Sequence, residues 1–130
     1  MNEVLLIDTD VLIDFLRHRG EALAYLKSRT GRLLISAITV AELYAGVCEG
    51  RETTELEVLV AVLEVVPVDQ ETARMGGDYR RLYRKSHNLG LSDTLIAASA
   101  VKANATLVTL NRKHFPMLPD LVVPYTKPQV

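Results

Sequence analysis

The stretch LLIDTDVLIDFL, residues 5–16, sets three carboxylates (Asp8, Asp10 and Asp14) among eight apolar residues. The apolar run into Asp8 reads as a buried strand. From Val11 the apolar residues recur at Val11, Leu12, Phe15 and Leu16, the spacing of a helix with one buried face. Asp8 therefore stands where a strand hands over to a helix, a position that suits either a helix cap or a working carboxylate.

Outward from this junction, strand and helix signals alternate. Strands are expected at 3–8, 33–36, 65–68 and 106–109, with a further one at 121–123. Helices are expected over GEALAYLKSR, TVAELYAGVCEG, ETTELEVLVAVLEV, a basic segment from about 70 to 88, and LSDTLIAASAVKAN. Gly31, Gly50 and Gly90 fall where these helices should stop. Alternation of this kind implies an α/β fold with a mainly parallel sheet of four to five strands, covered on both faces. The 130 residues suffice for a single domain with a core from about 3 to 124 and a loose tail at 125–130. No signal-peptide pattern opens the chain and no apolar run is long enough to span a membrane, so the expected location is the cytoplasm. One cysteine, Cys48, excludes an internal disulfide and a cysteine-rich metal site.

The net charge of −1 conceals a strong asymmetry. Between Glu42 and Glu71 eight acids face one base, Arg51; between Arg74 and Lys85 five bases face one acid, Asp78, with Tyr79 and Tyr83 interleaved. The basic block fits a phosphate-tracking surface or the solvated face of a helix.

Ligands of open parallel sheets collect at the C-terminal ends of the strands. Asp8 ends the first strand, Glu42 lies in the helix after the second, and Asp93 opens the helix leading to the fourth. Each has an innocent explanation: Asp8 or Asp10 as an N-cap, Thr39-Val40-Ala41-Glu42 as a capping box, Asp93 as a first-turn acid behind Ser92. Three acids at one sheet edge would nevertheless repel by about 4 kcal/mol per pair at about 4 Å and a dielectric near 20. A divalent cation with hard-oxygen preference, Mg²⁺ or Mn²⁺, offsets that repulsion, and the matching chemistry is phosphodiester hydrolysis. Thr109 and Asn111, just past the fourth strand, offer further oxygens or ordinary turn chemistry. His114 reads as a surface or packing residue.

Three segments, LLIDTDVLIDFL, ISAITVAELYAG and LSDTLIAASAVKANATLVTLNRKHF, taken in this order and spacing, resemble the PIN domain and, within it, the VapC toxins of type II toxin-antitoxin modules. The resemblance runs from about residue 3 to 124. It implies a PIN-like α/β/α sandwich, and the activity of an endoribonuclease that cleaves structured RNA, transfer or ribosomal, with Mg²⁺ or Mn²⁺. It also implies catalytic and metal-holding roles for Asp8, Glu42 and Asp93, supported by Thr9, Asp10, Thr109 and Asn111. RNA would be drawn in by Arg80, Arg81, Arg84, Lys85, Arg112 and Lys113. Further implied are a homodimer, contact with DNA only through the antitoxin, and a VapB-type antitoxin whose segment crosses the site, with Leu12, Phe15, Leu16, Leu43 and Tyr44 as candidate groove residues. The family often carries a fourth acid in a T-x-N-x-x-D-F segment; here Thr109-Leu110-Asn111-Arg112-Lys113-His114-Phe115 ends in histidine before the phenylalanine. That departure leaves the second metal position open and keeps alive the alternative of a catalytically weak PIN domain that only binds RNA or protein. A haloacid-dehalogenase-type phosphatase, suggested by Asp8-Thr9-Asp10, lacks the late pair of adjacent acids that its Mg²⁺ requires.

Overall fold

The computed structural model describes residues 3–47 and 50–127; Cys48 lies outside them. Strand β1 (Val4–Ile7) leads into helices α1 (Thr9–Leu16) and α2 (Gly20–Lys27). Strand β2 (Arg32–Ser36) leads into α3 (Ala37–Gly46) and α4 (Arg51–Val62). Then follow β3 (Glu64–Val66), α5 (Gln70–His87), α6 (Leu91–Lys102), β4 (Thr106–Val108) and a 3-10 turn at Arg112–His114. All strand pairs are parallel and the order is β3-β2-β1-β4. The fifth strand expected at 121–123 amounts to one bridge, between Val108 and Val122, because Pro124 has no amide hydrogen to extend a ladder.

Successive residues of a strand face opposite sides, and the two cores follow that alternation. Leu5, Ile7 and Ile35 pack with Val11, Leu12, Leu43 and Leu56 of α1, α3 and α4. Leu6 and Leu34 pack on the other face with Ile96, Ala97, Ala100 and Phe115. The result is the expected α/β/α sandwich. Helices α5 and α6 meet closely because Gly76 has no side chain, where a Cβ would lie 2.6 Å from Leu95 Cδ2.

Several boundaries differ from expectation. Helix α3 begins at Ala37, capped by the Ser36 hydroxyl that accepts from the Ile38 amide, and ends at Gly46. Gly50 and Gly90 do not stop helices but precede them, as the N-caps of α4 and α6. Asn88, in the left-handed region at φ 49°, ends α5. Gly31 permits a close approach of chains instead: a Cβ there would sit 2.1 Å from the carbonyl oxygen of Glu3. Of the expected loose tail, residues 125–127 are described, and two of them are held. The Tyr125 hydroxyl donates to Asp14 Oδ2 at 2.8 Å, and Lys127 Nζ lies 3.1 Å from Asp14 Oδ1. Asp14 is buried, so these partners, with Arg19 at 3.8 Å, supply the compensation that a buried charge requires.

Candidate active site

The sheet runs from β1 outward to β2 and β3, and then the chain returns to place β4 on the other side of β1. This reversal opens a crevice at the C-terminal end of β1, the usual place for a ligand in such sheets. Asp8 is the first residue beyond β1. Its amide donates to Val108 of β4 at 2.8 Å, which fixes the backbone at the crevice.

Asp8 is 5% exposed. Its Oδ1 accepts the Thr9 amide at 2.8 Å, the capping role the sequence allowed, and its Oδ2 accepts the Thr109 hydroxyl at 2.7 Å. The same hydroxyl lies 3.4 Å from Asp10 Oδ2, so its one proton serves Asp8. Burial, followed by repulsion from Asp10 and to a lesser degree Asp93, outweighs these hydrogen bonds and lifts the Asp8 carboxyl from 3.8 to about 7. Asp10 is raised too, mainly by burial. Its two oxygens accept the Val11 amide at 2.8 Å and the Leu110 amide at 3.0 Å, which ties α1 to the segment after β4. The Asn111 amide donates to Thr109 Oγ1 at 3.1 Å; thus Asn111 contributes its backbone here. With Asp10, Tyr125, Lys127 and neighbouring residues Asn111 also lines a cavity of about 390 Å³ beside the acids.

Glu42 is not part of a capping box. Ser36 caps α3, Thr39 is wholly buried inside the helix, and Glu42 Oε1 accepts the Thr9 hydroxyl at 2.7 Å. Thr9 and Thr39 share a further hydrogen bond of 3.0 Å. Thr9 therefore holds Asp8 through its amide and Glu42 through its hydroxyl.

Asp93 lies in the first turn of α6, whose N-cap is Gly90 rather than Ser92. Burial raises its carboxyl above the ordinary range and the neighbouring His114 pulls it down. His114 Nδ1 stands 3.1 Å from Asp93 Oδ2. Sequence reasoning, which took His114 for a surface or packing residue, missed this contact with Asp93.

The donor set is all oxygen except for His114; burial raises Asp8, Asp10 and Asp93, and Asp10 and Asp93 raise Asp8 further, a crowding of carboxylates that suits a hard cation. Among the described residues no three His, Cys, Asp or Glu side chains converge as a ready-made cage. Glu42 is turned to Thr9 and Asp93 to His114. One or two carboxylates with waters is the coordination that Mg²⁺ commonly takes, and these residues fit it.

The expected RNA-binding residues separate into two groups. Arg80 donates from Nε to the Leu89 carbonyl and is half-buried, so it closes the turn after α5. Arg81 pairs with Asp78 at 2.9 Å. Arg84 and Lys85 are exposed at the end of α5 that leads to Asp93, and Arg112 and Lys113 are exposed on the turn that carries His114. Of the expected groove residues, Leu12 and Leu43 belong to the core, since helix α1 turns Leu12 onto the sheet. Phe15 and Leu16 line an apolar groove of about 470 Å³ with Leu23, Val58, Leu59 and Val62, while Tyr44 is exposed elsewhere. No helix among the described residues is long and apolar enough to cross a membrane.

The family model of the PIN domain matches residues 5–119. Ribonuclease VapC10 of Mycobacterium tuberculosis is 42% identical over 128 residues, covering 96% of this chain and 96% of that protein. Among solved structures, a chain of a toxin-antitoxin complex from Klebsiella pneumoniae superposes with a TM-score of 0.82 at 28% identity, over 95% of this chain and 99% of that one. A chain of VapBC2 from Rickettsia felis, bound to a promoter DNA fragment, gives a TM-score of 0.75 at 27% identity, over 91% and 95%. A buried acid at the crevice of a parallel sheet, a family match over most of the chain, and near-full-length relatives together place the chain in the PIN domain family, among the VapC ribonucleases.

Proposed function

We propose that this protein is the toxin of a type II toxin-antitoxin module, an endoribonuclease that hydrolyses RNA phosphodiesters with Mg²⁺ or Mn²⁺. The observation that carries the reading is Asp8: a carboxylate buried at the sheet crevice, lifted to about 7, with Asp10 and Asp93 close enough to repel it. A fold keeps such a cost where a cation or a proton is to be handled.

Asp8 and Asp93 would be the principal carboxylates holding the ion, with Glu42, kept in place by the Thr9 hydroxyl, as a third. When bound, the metal lowers the pKa of a water and neutralises charge on the phosphate. The chain's own part is orientation. Thr109 and Thr9 hold the two oxygens of Asp8, Thr9 holds Glu42, and Asp10 keeps α1 joined to the β4 end so that the acids hold their spacing. Exposed Arg84, Lys85, Arg112 and Lys113 attract the RNA backbone, the salt-sensitive part of affinity.

Relatives of known structure are toxin-antitoxin complexes, which supports a VapB-type antitoxin as partner. The apolar groove beside Phe15 and Leu16, continued by exposed Val58 and Val62, offers a seat for an apolar segment of that partner. We take the working form to be a homodimer, with DNA reached only through the antitoxin. The test is incubation of antitoxin-free protein with total RNA in Mn²⁺, Mg²⁺ or EDTA, beside folded Asp93→Asn, with mapping of new RNA ends. Discrete ends that need metal and vanish in the variant are expected. Intact RNA with native protein, or full activity of the variant, refutes the assignment.

A further inference from the structure

Beside Asp93 stands His114, and its surroundings hold it firmly. The 3-10 turn that carries it is closed by bonds from the His114 amide to the Asn111 carbonyl at 3.0 Å and from the Phe115 amide to the Arg112 carbonyl at 3.1 Å. Phe115, the next residue, is 1% exposed and sits in the core beneath α6. Asn111, three residues earlier, is tied to Thr109 and so to Asp8. The imidazole is thus carried on a short segment fixed at both ends. It reaches Asp93 Oδ2 with Nδ1 at 3.1 Å, the contact that draws this carboxyl down against the effect of its burial.

We propose that His114 is a positioning residue for Asp93: its Nδ1–H donates to Oδ2, sets the plane of the carboxylate, and leaves Oδ1 and the second Oδ2 lone pair for one divalent cation. This deepens the metal-dependent reading given above and rests on it. A carboxylate at position 114 would be an additional oxygen ligand; a protonated ring nitrogen is a donor and cannot ligate at that atom. The histidine is therefore a support and not a ligand through that atom, and it orients Asp93 without adding a negative charge to the acids already gathered around β1. Hydrogen-bond partners of metal-ligating groups commonly govern affinity to this degree.

The alternative is that the pair merely staples the turn to α6. The two are separated by measuring Mn²⁺ binding from the electron paramagnetic resonance signal of the free ion, with thermal midpoint and Mn²⁺-dependent RNA cleavage, for native protein, His114→Leu, His114→Asn and His114→Gln. The asparagine amide can offer an N–H near the place of Nδ1; glutamine offers its own near the place of Nε2. His114→Leu and His114→Gln should weaken Mn²⁺ binding by about 10- to 100-fold, and His114→Asn should return it to within about threefold of native. Native affinity in His114→Leu overturns the proposal, as does His114→Asn binding no better than His114→Gln. If His114→Leu does not fold, the asparagine and glutamine variants decide alone. Native protein that takes up no Mn²⁺ overturns the metal reading itself, whereas uptake unaffected by any of the substitutions overturns the role of His114 alone.

Discussion

Raising the pH of the metal-free protein should loosen its fold, and Asp8 sets the scale. Its carboxyl titrates at about 7 in the folded chain against 3.8 for a free aspartate. Between those values the folded protein holds a proton that the unfolded chain has released, so stability falls as pH rises. The contribution is fully present below about pH 4 and lost once pH passes about 7. At about 1.4 kcal/mol per pH unit the whole span corresponds to about 4 kcal/mol, an upper figure because Asp10 shares the repulsion. Asp10 and Asp93 are raised as well and act with the same sign. The assay is urea unfolding from pH 4.5 to 8 in EDTA for the native protein and Asp8→Asn. The variant removes the charge, keeps an acceptor for the Thr9 amide, and leaves the Thr109 hydroxyl free to turn. Native protein should lose stability across the range by several kcal/mol more than the variant, and Mg²⁺ at millimolar concentration should flatten the native curve by favouring the ionised carboxylates. Parallel curves for the two proteins in EDTA would refute the reasoning.

Other perturbations test the supports of the site. Thr9→Val removes the hydroxyl that holds Glu42 and leaves the buried Thr39 hydroxyl without its partner; a loss of about 1–3 kcal/mol in unfolding free energy is expected. The same variant should lower Mn²⁺-dependent RNA cleavage by about 10- to 100-fold if Glu42 serves the ion. Tyr125→Phe deletes the donor to Asp14 Oδ2 and should cost about 1.5–3 kcal/mol in denaturant unfolding, with cleavage changed little. Arg84→Ala with Lys85→Ala should leave the thermal midpoint in place and reduce the salt slope of RNA binding by about 0.7 for each phosphate that is no longer neutralised, whereas Arg80→Ala should lower the midpoint by freeing the Leu89 carbonyl.

The first strand and the helix after it were legible because apolar spacing changes period at Asp8, and such periods are local. The basic helix was legible for the same reason. Glu42 shows where local reading stops. A threonine followed three residues later by glutamate satisfies the capping pattern, but Ser36 lies at the true start of α3 and takes the cap, which frees Glu42 for a partner 33 positions away. The 21 positions that separate Asp93 from His114, and the 111 that separate Asp14 from Tyr125, hide their pairings for the same reason: no periodicity records which ends of a folded sheet meet. Glycine likewise carries several meanings, and only the structure separates Gly31, needed for a close approach, from Gly50 and Gly90, which begin helices.

The contact between Asp8 and Thr109 joins residues 101 positions apart. During synthesis, therefore, a growing chain can pair β1 with β2 and seat Glu42 on Thr9 long before β4 exists. The crevice closes only when β4 docks beside β1, a late, long-range step of the kind that limits folding rate. Until then Asp8 lacks two of its partners, the Val108 carbonyl and the Thr109 hydroxyl. Assembly of the ribonuclease site thus waits until β4 has been made and has docked, well after β1, β2 and Glu42 can find one another.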